Sequence, residues 1–242
     1  MAKRTAPAAT PATTLMVTPT PTVRHMIVVV PDQLPTQVLR STRQLDTHLG
    51  VQATSWARFW AKPGLRPWQR QNMIDLRKGQ PAYCAGGPAR LLDLAAMRHG
   101  AAVGAGIRHQ HWSRAVHGTK AATPWHVYMR RHLDDRSQYP LEVAKADFTN
   151  QPRVNAMRIH NAACYGAAQL DVAELEMYQA GQMAYQNYHA LWALCLDALL
   201  THDGALLQPD SDAFAHQVTY LDAALRYLDG LDDAVRLLAV TL

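Results

Sequence analysis

Acidic residues are scarce in the first 158 positions of this chain. They number 8 there against 22 Lys and Arg, a formal +14, whereas residues 159–242 hold 11 against 2, a formal −9. The overall +5 hides this division. Only 18% of residues are charged, below the roughly 25% of an ordinary globular protein. The basic excess therefore comes from missing acids rather than from a crowded ionic surface. Asymmetry of this size predicts a polyanion-binding part joined to a part with another role.

Cysteine is sparse too. Cys84, Cys164 and Cys195 are odd in number and widely spaced, with no C-x-x-C pair. That argues against a disulfide framework and for a reducing, cytoplasmic setting. No run approaches the roughly 18 apolar residues of a membrane span, so no membrane partner is expected. Met1 to Arg24 contains Lys3 and Arg4 but no apolar h-region, which disfavours a secretory signal.

No motif fixes a reaction. The chain lacks G-x-S-x-G, H-E-x-x-H and a G-x-G-x-x-G following a strand. Gly86-Gly87-Pro88 precedes a helical pattern, but there is no P-loop lysine and the proline removes one phosphate-binding donor. Cys84 has no base that spacing assigns to it. The expectation is a non-enzymatic protein with no catalytic residue, no cofactor and no metal.

Three regions follow from composition. Residues 1–22 are mostly Ala, Pro and Thr and read as a disordered tail, because they cannot bury enough apolar surface to offset ordering. Residues 23–158 form a basic, Trp- and His-rich domain. It opens with a β-branched run, His25 to Val30, that predicts a short buried strand. Helices are expected over 36–49 and 88–98, the latter ended by Gly100 and Gly104-Ala105-Gly106. Another runs from a Thr123 cap to Asp134, and one more from Pro152 to Cys164. Trp56 and Trp60, at i and i+4, suggest one helical face.

Residues 159–242 form an acidic helical domain. The 3/4 spacing of Leu175, Tyr178, Tyr185, Trp192, Leu196 and Leu199 predicts one long helix over 171–202. Phe214, Val218, Leu221, Leu225 and Leu228 predict the next, and Leu231, Val235, Leu238 and Leu242 a short final one. The fold class is thus mainly α: a short N-terminal strand element in a basic helical domain, then an acidic C-terminal antiparallel helical hairpin. Trp192 and Leu225 are expected in its core.

Five of the six tryptophans fall between 56 and 125, interleaved with cations. Single-stranded nucleic acid is bound by this pairing, with cations following phosphates and flat rings accepting bases. Most front-half cations are Arg, which grips phosphate in bidentate fashion. The candidate contacts are Arg58, Lys62, Arg66, Trp68, Arg70, Arg108, Trp112, Arg114, Arg130 and Arg131. The leading reading is a nucleic-acid-binding accessory factor, DNA or RNA. A second is an assembly protein whose acidic helical half docks a protein partner or another copy. A third is a metal-dependent hydrolase using His99, His109, His111, His117, His126 and His132, provided that 109–111 is extended and puts both rings on one side.

Overall fold

The computed structural model describes residues 23–30, 36–39, 45, 47, 50, 52–232 and 234–242. The tail over 1–22 and most of the helix expected over 36–49 lie outside the described residues. Among the described residues the first elements are β1 (His25–Val30), α1 (Thr36–Leu39), β2 (Thr54–Ser55), β3 (Phe59–Trp60) and α2 (Pro67–Gln71). Next come β4 (Tyr83–Cys84), β5 (Gly86–Pro88), α3 (Leu94–Ala115), α4 (Trp125–Asp134), α5 (Leu141–Thr149) and α6 (Pro152–Ala163). The remainder is α7 (Leu175–Gln179), α8 (Gln182–Cys195), β6 (Ala198–Leu200), β7 (Leu206–Leu207), α9 (Phe214–Asp229) and β8 (Arg236–Thr241). The fold is mainly α-helical with a small mixed sheet.

β1 holds the centre of that sheet, whose order is β2-β8-β1-β6-β7, with β5 also paired to β8. Met26 to Val30 are all buried, as expected of a strand covered on both faces, which reads as an unbroken apolar run. Ile27 and Val29 pack in the main core with the helices; Met26, Val28 and Val30 join a second cluster with Leu39, Ile74 and Ala198. The neighbours of β1 both come from the acidic part: β6 in parallel, and β8 antiparallel from His25↔Thr241 to Val30↔Arg236. The strand is therefore not a minor element within a basic helical front. The charge division at 158/159 is not a division of the sheet.

Residues 231–242, expected to be helical, include β8 instead. Their 4-3-4 spacing suits a helix, but a short apolar run fits either structure. Pairing along six residues of β1 satisfies backbone groups that would otherwise be buried without partners. The long helix expected over 171–202 is also divided. Gly181 at φ +101° separates α7 from α8, and Leu196 at φ +57° turns the chain from α8 into β6.

Glycine spacing misleads in α3, which runs straight through Gly100, Gly104 and Gly106. Two of these serve close packing. A Cβ at Gly100 would lie 2.9 Å from the Trp60 ring, and one at Gly106 would lie 2.3 Å from Gln186 Nε2. The helix starts where Asp93 accepts a hydrogen bond from Ala96 N–H at 3.1 Å. Asp93→Ala is expected to cost about 1 kcal/mol in urea unfolding, and an unchanged midpoint would show that the cap contributes nothing.

Two local expectations change in similar ways. Trp56 and Trp60 lie in extended chain, because Trp56 N–H bonds to Ala239 C=O at 2.9 Å and Trp60 belongs to the β3–β4 ribbon. Thr123 does not cap α4; Pro124 takes that position. Thr123 instead exchanges backbone hydrogen bonds with the Gln151 amide, at 2.7 and 3.0 Å.

In α9 the buried residues are Tyr220, Leu221 and Ala224, while Val218 is exposed. Of the expected stripe, Leu221 is buried and Phe214, Leu225 and Leu228 pack half-buried against the core, as Trp192 does in α8, so the buried face is centred only slightly to one side of it. No helix among the described residues is long and apolar enough to cross a membrane.

Candidate functional site

Seven of the ten candidate contacts are exposed; of the other three, Trp112 is buried and Arg58 and Arg108 are half-buried. The exposed set begins with Lys62, Arg66, Trp68 and Arg70, in the loop leading into α2 and in α2 itself. Backbone hydrogen bonds from Ala61 to Ala82 and from Lys62 to Leu91, both 2.9 Å, fasten the root of this segment. Pro67 opens α2, and Gln69 Oε1 accepts from Arg66 N–H at 2.8 Å. Arg70 Nε donates to Leu65 C=O at 3.1 Å, and the Arg66 guanidinium lies 5.2 Å from the Trp68 ring centre. Trp68 is 58% exposed, an unusual placement for so large an aromatic ring.

Arg114, Arg130 and Arg131 complete the exposed set, on α3 and on the last turns of α4. Arg131 stacks on Tyr139 at 4.7 Å. Among the described residues, none of the six exposed cations in this set has a carboxylate partner; the front half's Arg77 and Lys145 do, with Asp75 and Glu142.

The other three are committed elsewhere. The Arg58 guanidinium lies 5.6 Å from the rings of both Trp56 and Trp192, with Nε buried and without a hydrogen bond. Burial lowers its pKa from the ordinary arginine value. Trp112 is buried, stacked on Tyr178 at 5.3 Å and contacted by Arg153 at 5.6 Å. Arg108 Nε donates to Tyr185 OH at 3.4 Å.

The histidines do not converge as an extended 109–111 segment would require. That stretch is helical, so His109 is buried and bonded to Tyr178 C=O at 3.1 Å while His111 is exposed. Among the described residues no group of three or more His, Cys, Asp or Glu is placed to hold a metal ion. Burial pushes the Cys84 thiol up to about 12, well away from a reactive thiolate.

Sequence spacing did not single out a second cluster, in the acidic part. Tyr178 and Tyr185 are seven residues apart, which is about 10.5 Å of rise on an unbroken helix. The turn at Gly181 instead stacks their rings at 4.4 Å. Tyr185 OH donates to Glu174 Oε2 at 2.5 Å, and His189, one turn along α8, faces Glu174 Oε1 at 3.6 Å. Burial alone would raise the Glu174 carboxyl; His189, Tyr185 and Arg108 together outweigh it and hold the pKa below the ordinary value.

Glu174 and His189 lie on the wall of a cleft formed by α4, α5, α8 and residues 172–177. The i, i+4 spacing of Tyr185 and His189 was the available signal. Their carboxylate partner lies beyond a glycine turn, where no periodicity points to it. No family model, curated protein or solved structure matches the chain.

Proposed function

We propose that the protein is a non-enzymatic, cytoplasmic nucleic-acid-binding accessory factor. Its exposed basic residues contact phosphates, and Trp68 accepts a base. The supporting observation is the segment 62–70, where Lys62, Arg66 and Arg70 are exposed, have no carboxylate partner among the described residues, and share a short stretch with the exposed Trp68, whose ring lies 5.2 Å from the Arg66 guanidinium. Unpaired cations exchange counterions for phosphates, and the ring offers a sequence-tolerant stacking platform. Charge sets the division of labour: the basic residues of 23–158 take the polyanion, and the acidic helical part over 159–242 faces a protein partner or a second copy.

Single- and double-stranded oligonucleotides, titrated against the full chain across a salt series, test this reading. Affinity is expected to fall steeply with salt. Replacing Lys62, Arg66 and Arg70 together by Ala should flatten the log–log slope by roughly 2 on a single strand. Trp68→Ala should weaken single-strand binding by roughly 1–3 kcal/mol. Salt-indifferent binding, or a triple variant that binds like the parent, would overturn the proposal.

A further inference from the structure

We propose that the cleft between α8 and the α4–α5 pair binds a small organic cation, an N–H-bearing ammonium group on a flat apolar body. The cleft encloses about 720 Å³, within the range that takes up a small-molecule ligand. Its charge is one-sided. Glu174, Glu176, Asp197 and Asp212 border it, against the single ammonium of Lys145. Lys145 is paired with Glu142 at 3.0 Å, and Glu176 faces His126 at 3.4 Å. The Asp212 carboxylate is exposed and has no hydrogen-bond or ion-pair partner among the described residues.

The walls supply what an ammonium body needs. Tyr188 and Trp192 stand one turn apart on α8, and Trp125 joins them from the start of α4. Flat rings attract cations through their quadrupole, and Trp192 already holds one guanidinium, that of Arg58 at 5.6 Å.

His189 supplies a second observation on the same wall as Glu174. It is only 8% exposed, and its Nε2 makes no hydrogen bond although it lies beside the Glu174 carboxylate. Buried polar atoms without partners are rare in native proteins and call for an explanation. An ammonium seated against this pair donates one N–H to Glu174 and, on the neutral imidazole tautomer with its proton on Nδ1, a second N–H to His189 Nε2. An anionic ligand would meet the Glu174, Glu176 and Asp212 carboxylates, while Asp197 is already held by N–H groups of Arg24, His25 and Trp192.

Benzylammonium is the probe, titrated into the full chain and followed by tryptophan fluorescence and by the indole N–H signal of Trp192. Saturable binding is expected, with benzyl alcohol and benzoate weaker by about 10-fold or more. Glu174→Gln should weaken binding by a similar factor. Because Glu174 also holds Tyr185, the exposed Asp212→Asn serves as a second variant that spares the core, and a several-fold loss is expected there. Equal affinity for benzyl alcohol, preference for benzoate, absence of saturation, or two variants that bind like the parent would each overturn the proposal.

Discussion

Raising the pH beyond about 10 is expected to unfold the chain, with the phenolate absorbance of its four buried tyrosines and loss of helical dichroism appearing together. Burial pushes the hydroxyls of Tyr178, Tyr185, Tyr188 and Tyr220 above the ordinary tyrosine value, Tyr178 to about 12. The buried thiols of Cys84 and Cys195 move the same way, each to about 12. A group held protonated in the native state stabilises it fully below its unfolded pKa. That contribution is lost as pH rises toward the native value, because the unfolded chain binds fewer protons. Each such group removes about 1.4 kcal/mol per pH unit across the window. Four phenols acting together therefore consume most of a typical 5–15 kcal/mol of stability within about two pH units. Ionisation of all nine tyrosines near pH 10 with the helices intact would show that these four rings are open to solvent.

Gly86→Ala should be among the most damaging single substitutions in the chain. A Cβ there would sit 2.0 Å from Leu237 C=O and 2.9 Å from Leu238 Cα, both on β8. Neither atom is the end of a flexible side chain. The surrounding backbone is fixed by hydrogen bonds from Ile74 to Gly86 at 2.9 Å and from Ala239 to Ala85 at 2.8 Å. Overpacking a core usually costs about 1–3 kcal/mol, and an obstructing carbonyl in the strand beside β1 puts this case at or beyond the upper end. Gly104→Ala is the counterpart: its nearest neighbour, Arg108 Nη1, is 4.0 Å away, so an alanine inside α3 should stabilise by up to about 1 kcal/mol. Urea unfolding of the two variants should move in opposite directions. A Gly86→Ala midpoint equal to the parent's would mean that β5 and β8 do not approach this closely.

Counting charges and following apolar periodicity makes part of this molecule legible. The mainly helical character and the shortage of acids before residue 159 are visible without coordinates. What escapes is what depends on distant partners. Leu231, Val235, Leu238 and Leu242 keep helical spacing, yet β1 recruits Arg236–Thr241 as a strand because its edge needs hydrogen bonds. Gly100 and Gly106 look like helix stops but admit Trp60 and Gln186 against α3. Arg58 and Trp112 look like surface contacts, yet residues far along the chain, Trp192 and Tyr178, engage them, leaving Arg58 half-buried and Trp112 buried. Of the candidate contacts, those of segment 62–70 keep both their cations and an aromatic ring in solvent. Glu174 and His189 share no local motif, since the turn at Gly181 brings them together.

The place of β1 in the sheet bears on how the protein is made. During synthesis this strand leaves the ribosome before either of its neighbours exists; β6 follows about 170 residues later and β8 about 205. At ordinary elongation rates that delay is on the order of 10–40 s. Throughout it, His-Met-Ile-Val-Val-Val is an uncharged, β-prone segment with two open edges, the kind that pairs with other copies of itself. The yield from a cell is then set by how well the nascent strand is shielded as well as by native stability. A chain cut before Arg236 would leave one edge of β1 open permanently.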